Sequence, residues 1–237
     1  MTDELIFLAG TAASIAFLHT VMGPDHFLPF VAMGKTRGWS KKKLASVTVA
    51  CGLAHSLGSI LLGLFGIWAG TTLGTLKIIE GFRGDLAAWC LLSFGILYTA
   101  YGIRKAIKDK AHSHIHSHAD GTVHNHSHKH HISHAHLHSS KSKLSLAPWT
   151  LFIIFVLGPC EPLIPLMMYP AATASAIGMA LVVGTFVVVT VVTMTLIALT
   201  VFAGMRFVAV ENLHRYKHAI TGSTLSLCGF AIIGLGV

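Results

Sequence analysis

Two imidazoles and a carboxylate sit close together in an otherwise apolar stretch: His19, Asp25 and His26. Ionisable groups are costly inside hydrocarbon, so those that persist there face a cavity or a pathway. His19 and His26 are seven positions apart, nearly two full turns, and a continuous helix would present both on one side. Between them lies Gly23-Pro24, which can break the helix and free backbone carbonyls as additional oxygen ligands. His55 in the next apolar stretch, and Cys160 with Glu161 in a later one, complete the group. Imidazole with carboxylate suits Ni, Co, Zn, Fe or Mn, whereas Ca and Mg prefer oxygen alone. Beside Ser56 and Ser59, His55 also reads as a buried polar residue that fixes helix packing. Thr190, Thr193 and Thr195 either face the same pathway or bond back to their own helix.

A second concentration of ligands differs in kind. Residues 112–138 hold twelve of the seventeen histidines: His112, His114, His116, His118, His124, His126, His128, His130, His131, His134, His136 and His138. Most alternate with small residues, and nothing in the segment could build a core, so it reads as a disordered His-rich loop. Near neutral pH most imidazoles are unprotonated and able to ligate. Such a tract captures metal with low specificity and does not select the ion.

The elements that must position these groups follow from composition. The chain is 53% hydrophobic and 11% charged, against about 25% charged for a soluble domain. Six apolar segments, 5–34, 44–70, 86–103, 148–169, 176–204 and 219–237, each approach the roughly 20 residues that span a bilayer. The first is too long for one straight crossing and must tilt or break at Gly23-Pro24. Asp3 and Glu4 replace a basic n-region, so this segment is expected to remain as a membrane helix. Fifteen of the seventeen Lys and Arg fall in the connections after the first, third and fifth segments, leaving Lys77 and Arg83 opposite. The positive-inside rule then puts the His-rich loop in the cytoplasm and both termini outside it, in a plasma or inner membrane. The net charge of +8 lies at the ends of apolar runs, which argues against a nucleic-acid partner. Cys51, Cys90, Cys160 and Cys228 form no CxxC pair and no secreted-style disulfide framework.

The breakers repeat. Gly23-Pro24-Asp25-His26 in the first segment is matched by Gly158-Pro159-Cys160-Glu161 in the fourth, and these two segments hold six of the seven prolines. Each opens a three-helix set, and an odd number of crossings inverts the second set, the pattern whose interrupted helices meet at a midplane site. The expectation is an all-α membrane protein with 3+3 inverted repeats: 1–107, a His-rich loop over 108–147, and 148–237. Aligning the breakers sets Asp25 opposite Cys160 and His26 opposite Glu161.

His19, five intervening residues and Asp25-His26, with the His-rich loop, resemble the nickel/cobalt transporter (NiCoT) family. They are also similar to nickel/cobalt efflux proteins and UreH-type membrane proteins, the Gly-Pro-Asp-His run followed by Leu-Pro looking closest to the UreH type. The resemblance implies that His19, Asp25, His26 and His55 line a pathway for Ni or Co. The importer signature has four residues before its Asp-His pair and eight helices, against five residues and six segments here, so ion and direction stay open. The expected function is alternating-access transport with efflux favoured, no enzymatic activity and no tightly bound cofactor. The partners are the bilayer and the metal, with a cytoplasmic metallochaperone as a further candidate. Gly158-Pro159-Cys160 also resembles the CcdA and DsbD thiol–disulfide electron carriers. Those use one cysteine per repeat, and Asp25 stands where the second would be; one sulfur cannot run an intramolecular dithiol cycle.

Overall fold

The computed structural model describes residues 2–108, 112–117, 123–128, 146–173, 175–205 and 215–235. Helix α1 (Thr2–Met22) leads into a 3-10 turn (Pro24–His26), followed by α2 (Leu28–Arg37), α3 (Lys41–Trp68) and α4 (Leu73–Lys108). Strands β1 (His112–Ser117) and β2 (Val123–His128) precede α5 (Leu146–Leu157), α6 (Leu163–Ala172), α7 (Ala176–Gly204) and α8 (Lys217–Leu235).

Both breaks expected from Gly-Pro are present. Proline lacks the N–H that would continue each helix, so α1 ends at Met22 and α5 at Leu157. Pro24 instead opens the 3-10 turn, and Pro29 occupies the first turn of α2, where no donor is lost. Gly38 closes α2 at φ 64°, a left-handed position that glycine adopts without a Cβ penalty. Ser40 then caps α3, its Oγ accepting from the Lys43 N–H at 3.2 Å.

One boundary corrects the sequence reading. The third helix begins at Leu73, not at 86, and runs for 36 residues. The charges that suggested a loop are accommodated in its first turns: Arg83 pairs with Glu80 at 3.0 Å, three residues earlier on the same helix. The histidine loop also departs from expectation. The backbones of His112–Ser117 and Val123–His128 pair antiparallel, with His112 opposite His128 and His116 opposite His124, as the period-two alternation permits. The remaining loop histidines, His118, His130, His131, His134, His136 and His138, lie outside the described residues.

Helices Asp3–Met22, Lys41–Trp68, Leu73–Lys108 and Ala176–Gly204 are long and apolar enough to cross a membrane. Helices α5 and α6 are shorter apolar pieces on either side of the second break. Outward-facing Ile6, Phe7, Leu97, Ile153 and Leu196 are more than half exposed, a pattern suited to lipid and not to water. The interior joins the halves. α4 packs along α8, α7 against α1 and α3, and α5 against α3 and α4. The α4–α8 seam is built on small residues: a Cβ at Gly229 would stand 2.6 Å from the Leu92 nitrogen. Such close backbone approach replaces the hydrophobic drive that lipid cannot supply. Phe30, Met33, Leu44, Leu151, Met194 and Leu225 form the larger core cluster.

Candidate metal centre

The first break brings two histidines together by an unexpected route. No continuous helix joins His19 to His26, because α1 ends at Met22 and His26 lies in the 3-10 turn that follows. The rings nevertheless meet edge to face with centroids 4.7 Å apart. His55, from the middle of α3, stands 5.3 Å from the His26 ring, again edge to face. One ligating nitrogen from each of the three lies within 4.8 Å of the others. Phe155 and Phe186 pack beside them.

Hydrogen bonds fix how two of these rings point. His26 Nδ1 lies 3.1 Å from the Gly23 carbonyl and 3.2 Å from Asp25 Oδ1. Both are acceptors, so in the neutral ring Nδ1 carries the hydrogen and Nε2 the lone pair. His55 Nδ1–H donates to the Phe155 carbonyl at 3.2 Å, with the same result. Carbonyl or carboxylate at one ring nitrogen, lone pair at the other, is the usual preparation of a histidine for metal. The Nε2 atoms of His19, His26 and His55 are all buried without a hydrogen-bond partner. A buried polar atom left unpaired costs about 1–3 kcal/mol, and three in one place call for a ligand.

A metal of tetrahedral preference, with nitrogens at about 2.0–2.1 Å, would hold ligand pairs near ~3.3 Å. Side-chain adjustments of about an ångström would therefore close the site. Three imidazoles leave a fourth position open, the arrangement of a site that exchanges ligands and not of a closed structural one.

The triad opens into a cavity of about 490 Å³ lined by Asp25, Asp85, Glu161, Ile154, Phe155 and Pro159, among others. Asp25 therefore braces His26 and lines the cavity as well. Glu161 reaches the same cavity but belongs to no three-residue ligand cluster among the described residues. Cys160 is fully buried with Ala16, Leu163, Met167 and Phe186, outside the cavity lining. Its backbone N–H donates to Ser59 Oγ at 3.0 Å, so Ser59 serves the second break while Phe155 holds His55. Thr190 and Thr193 are buried in α7 and do not line the cavity.

Sequence reasoning missed Glu80, Arg83 and Asp85. Glu80 is buried, and Arg83 donates both to it and to the carbonyls of Val156 at 3.3 Å and Gly158 at 3.5 Å. These are carbonyls left open where α5 breaks. The i,i+3 spacing of Glu80 and Arg83 was the available signal.

Comparison of the chain with protein-family models, curated proteins and solved structures returned no match.

Proposed function

We propose that this chain transports a divalent transition metal ion, nickel or cobalt first, across a cell membrane by alternating access. The observation that carries the reading is the group of three buried, unpartnered imidazole nitrogens facing one cavity beside a broken helix. Imidazole donors favour Ni, Co and Zn over Mg and Ca. The open fourth position lets the ion arrive with water and leave again.

The proposed architecture has six crossings in two inverted halves, α5 and α6 together forming the fourth. Helix packing supports it. Exchanging α1, α2, α3 and α4 for α5, α6, α7 and α8 turns the α1–α7 contact into α5–α3, α2–α8 into α6–α4, and α2–α7 into α6–α3. All of these pairs pack together. In this arrangement the His-rich loop is cytoplasmic and collects ion for efflux, the direction we favour. Resemblance of the His19, Asp25 and His26 pattern to the nickel/cobalt transporter family agrees with the same cargo.

Cellular nickel, cobalt and zinc, measured with and without expression of the protein, test the reading. Expression should lower at least one of them, and His26→Ala should abolish the effect while the protein still reaches the membrane. Unchanged metal content on expression, or an H26A protein as active as the native one, would refute it.

A further inference from the structure

Three carboxylates line the cavity that holds the imidazoles, and they are not equivalent. Asp25 is engaged with the His26 ring. Asp85 and Glu161 enter no hydrogen bond or ion pair among the described residues. Both are exposed, whereas His26 and His55 are buried, 4% and 3% accessible. The cavity thus runs from two exposed carboxylates to two buried Nε2 atoms that have no partner.

Asp85 and Glu161 share this cavity, and next to Asp85 the α4 helix packs tightly against Pro159 of the second break. A Cβ at Gly84, the residue before Asp85, would stand 2.9 Å from Pro159 Cγ and 3.9 Å from Glu161 Oε1. Glycine here lets α4 carry Asp85 against the connection that carries Glu161. Two cations lie nearby. Arg83 is held by Glu80 and the α5 carbonyls. Lys77 lines an adjoining cavity of about 320 Å³ with Glu80, and Glu161 borders both cavities.

We propose that Asp85 and Glu161 form a capture site for the hydrated divalent cation on the side opposite the His-rich loop, distinct from the imidazole site with which it exchanges the ion. This rests on the reading of the three histidines as the transport site. A divalent aquo ion does not shed its water in one step. Carboxylates hold it through that water, and a cleft with apolar walls such as Ile154 and Ile232 focuses their field on it. The imidazoles then replace water once the ion is inside. Asp85 and Glu161 accordingly govern how fast metal passes between that side and the imidazoles, as release in efflux and as loading in a binding experiment, and leave its final coordination to the histidines.

The test uses the full chain in zwitterionic lipid nanodiscs with Co²⁺ as probe, followed by its visible absorption in stopped flow. An H26A/H55A variant supplies the signal of the His-rich loop for subtraction. The D85N/E161Q protein should load about tenfold more slowly than the native one at low ionic strength, the lower end of electrostatic acceleration. The gap should close in about 0.5 M salt, where screening acts over a few ångströms, and the final spectrum should match the native one. Equal loading rates at every salt concentration would overturn the capture site alone. So would an altered final spectrum, because the carboxylates would then be ligands. If the native protein gives no Co²⁺ signal beyond that of the H26A/H55A variant, the transport-site reading fails and the capture site with it.

Discussion

His55 on α3 donates its Nδ1–H to the Phe155 carbonyl on α5 over 3.2 Å, so a candidate ligand is oriented by a helix a hundred residues further along the chain. Phe155 lies in the last turn of α5, and Arg83 holds the carbonyls of Val156 and Gly158 just beyond it. The orientation of His55 therefore depends on the second break staying in place. A rocking motion between the halves would loosen this bond and weaken the site, as transport with release requires.

His26 and the carboxylate that braces its Nδ1 should separate by magnitude. His26→Ala removes a ligand and should eliminate Co²⁺ binding at the centre. Asp25→Asn removes only the negative charge at one of two acceptors of Nδ1, because an amide oxygen can still accept there and the Gly23 carbonyl remains at 3.1 Å. Mutation of such a supporting partner typically costs about 10–100-fold in metal affinity. Titration of both variants with Co²⁺ checks the order, and an Asp25→Asn defect as complete as that of His26→Ala would make Asp25 a ligand.

Gly23 should tolerate no side chain. A Cβ there would lie 2.7 Å from His26 Cε1 and 2.9 Å from Asp25 Oδ1, so the ring folded over Gly23 would have to leave. Gly23→Ala should abolish metal binding at the three-histidine centre yet leave membrane insertion intact, since the break itself is set by Pro24. Alanine at Gly10, where a Cβ meets nothing within 4 Å, is the matched control and should bind metal normally.

Topology is testable independently of metal. Reporters fused after residue 40 and near residue 125 should be cytoplasmic, and one fused after Val237 should be external. A cytoplasmic C-terminal reporter would remove the six-crossing arrangement and its inverted halves.

The two breaks, the course of α7 and the grouping of His19 with His26 were legible because glycine, proline and ionisable residues are conspicuous in apolar sequence. The route between the two histidines was not. Seven-residue spacing offered one continuous face and Gly23-Pro24 a break, and nothing local showed that the rings still meet once the helix breaks. His55 read as a packing residue as readily as a ligand, because its partner Phe155 lies a hundred positions away. Glu80, Arg83 and Asp85 were hidden for a related reason. Their charges looked like a loop when the partners that accommodate them, the broken end of α5 and the cavity, cannot be seen from local sequence. Cys160 was matched to Asp25 by alignment of the breaks, yet it is buried in an apolar cluster.

The Glu80–Arg83 pair should matter for stability more than for metal. Glu80 is 2% accessible, and removing Arg83 would leave its carboxylate buried without that partner. Breaking a buried pair by removing one member costs about 3–5 kcal/mol. Arg83→Gln should lower the denaturation midpoint in detergent, and adding Glu80→Gln should restore much of the loss, since no unpaired charge then remains. If the double variant is as unstable as the single, the contacts of Arg83 with the α5 carbonyls carry the effect.

Cys160 separates metal transport from thiol chemistry. An electron carrier needs its sulfur to reach a partner thiol and pass through a mixed disulfide. Here the Cys160 side chain is fully buried, packed with Ala16, Leu163, Met167 and Phe186 and with Glu80 nearby. Cys51, Cys160 and Cys228 are buried, Cys90 is partly so, and all four are free thiols. The sulfur also lies outside the three-histidine cluster and the cavity lining, so it is expected to take no part in selecting the ion. Cys160→Ser keeps the size and introduces a hydroxyl into an apolar cluster, at a cost of about 1–3 kcal/mol. The serine variant should therefore be somewhat less stable, transport metal, and rank nickel, cobalt and zinc as the native protein does. Trapping with a soluble thioredoxin-like protein should recover no adduct through Cys160. Recovery of that adduct from the native protein, with loss of all activity in the serine variant, would replace the transporter by a redox carrier. A changed metal ranking without an adduct would instead make the sulfur a ligand in a conformation other than this one.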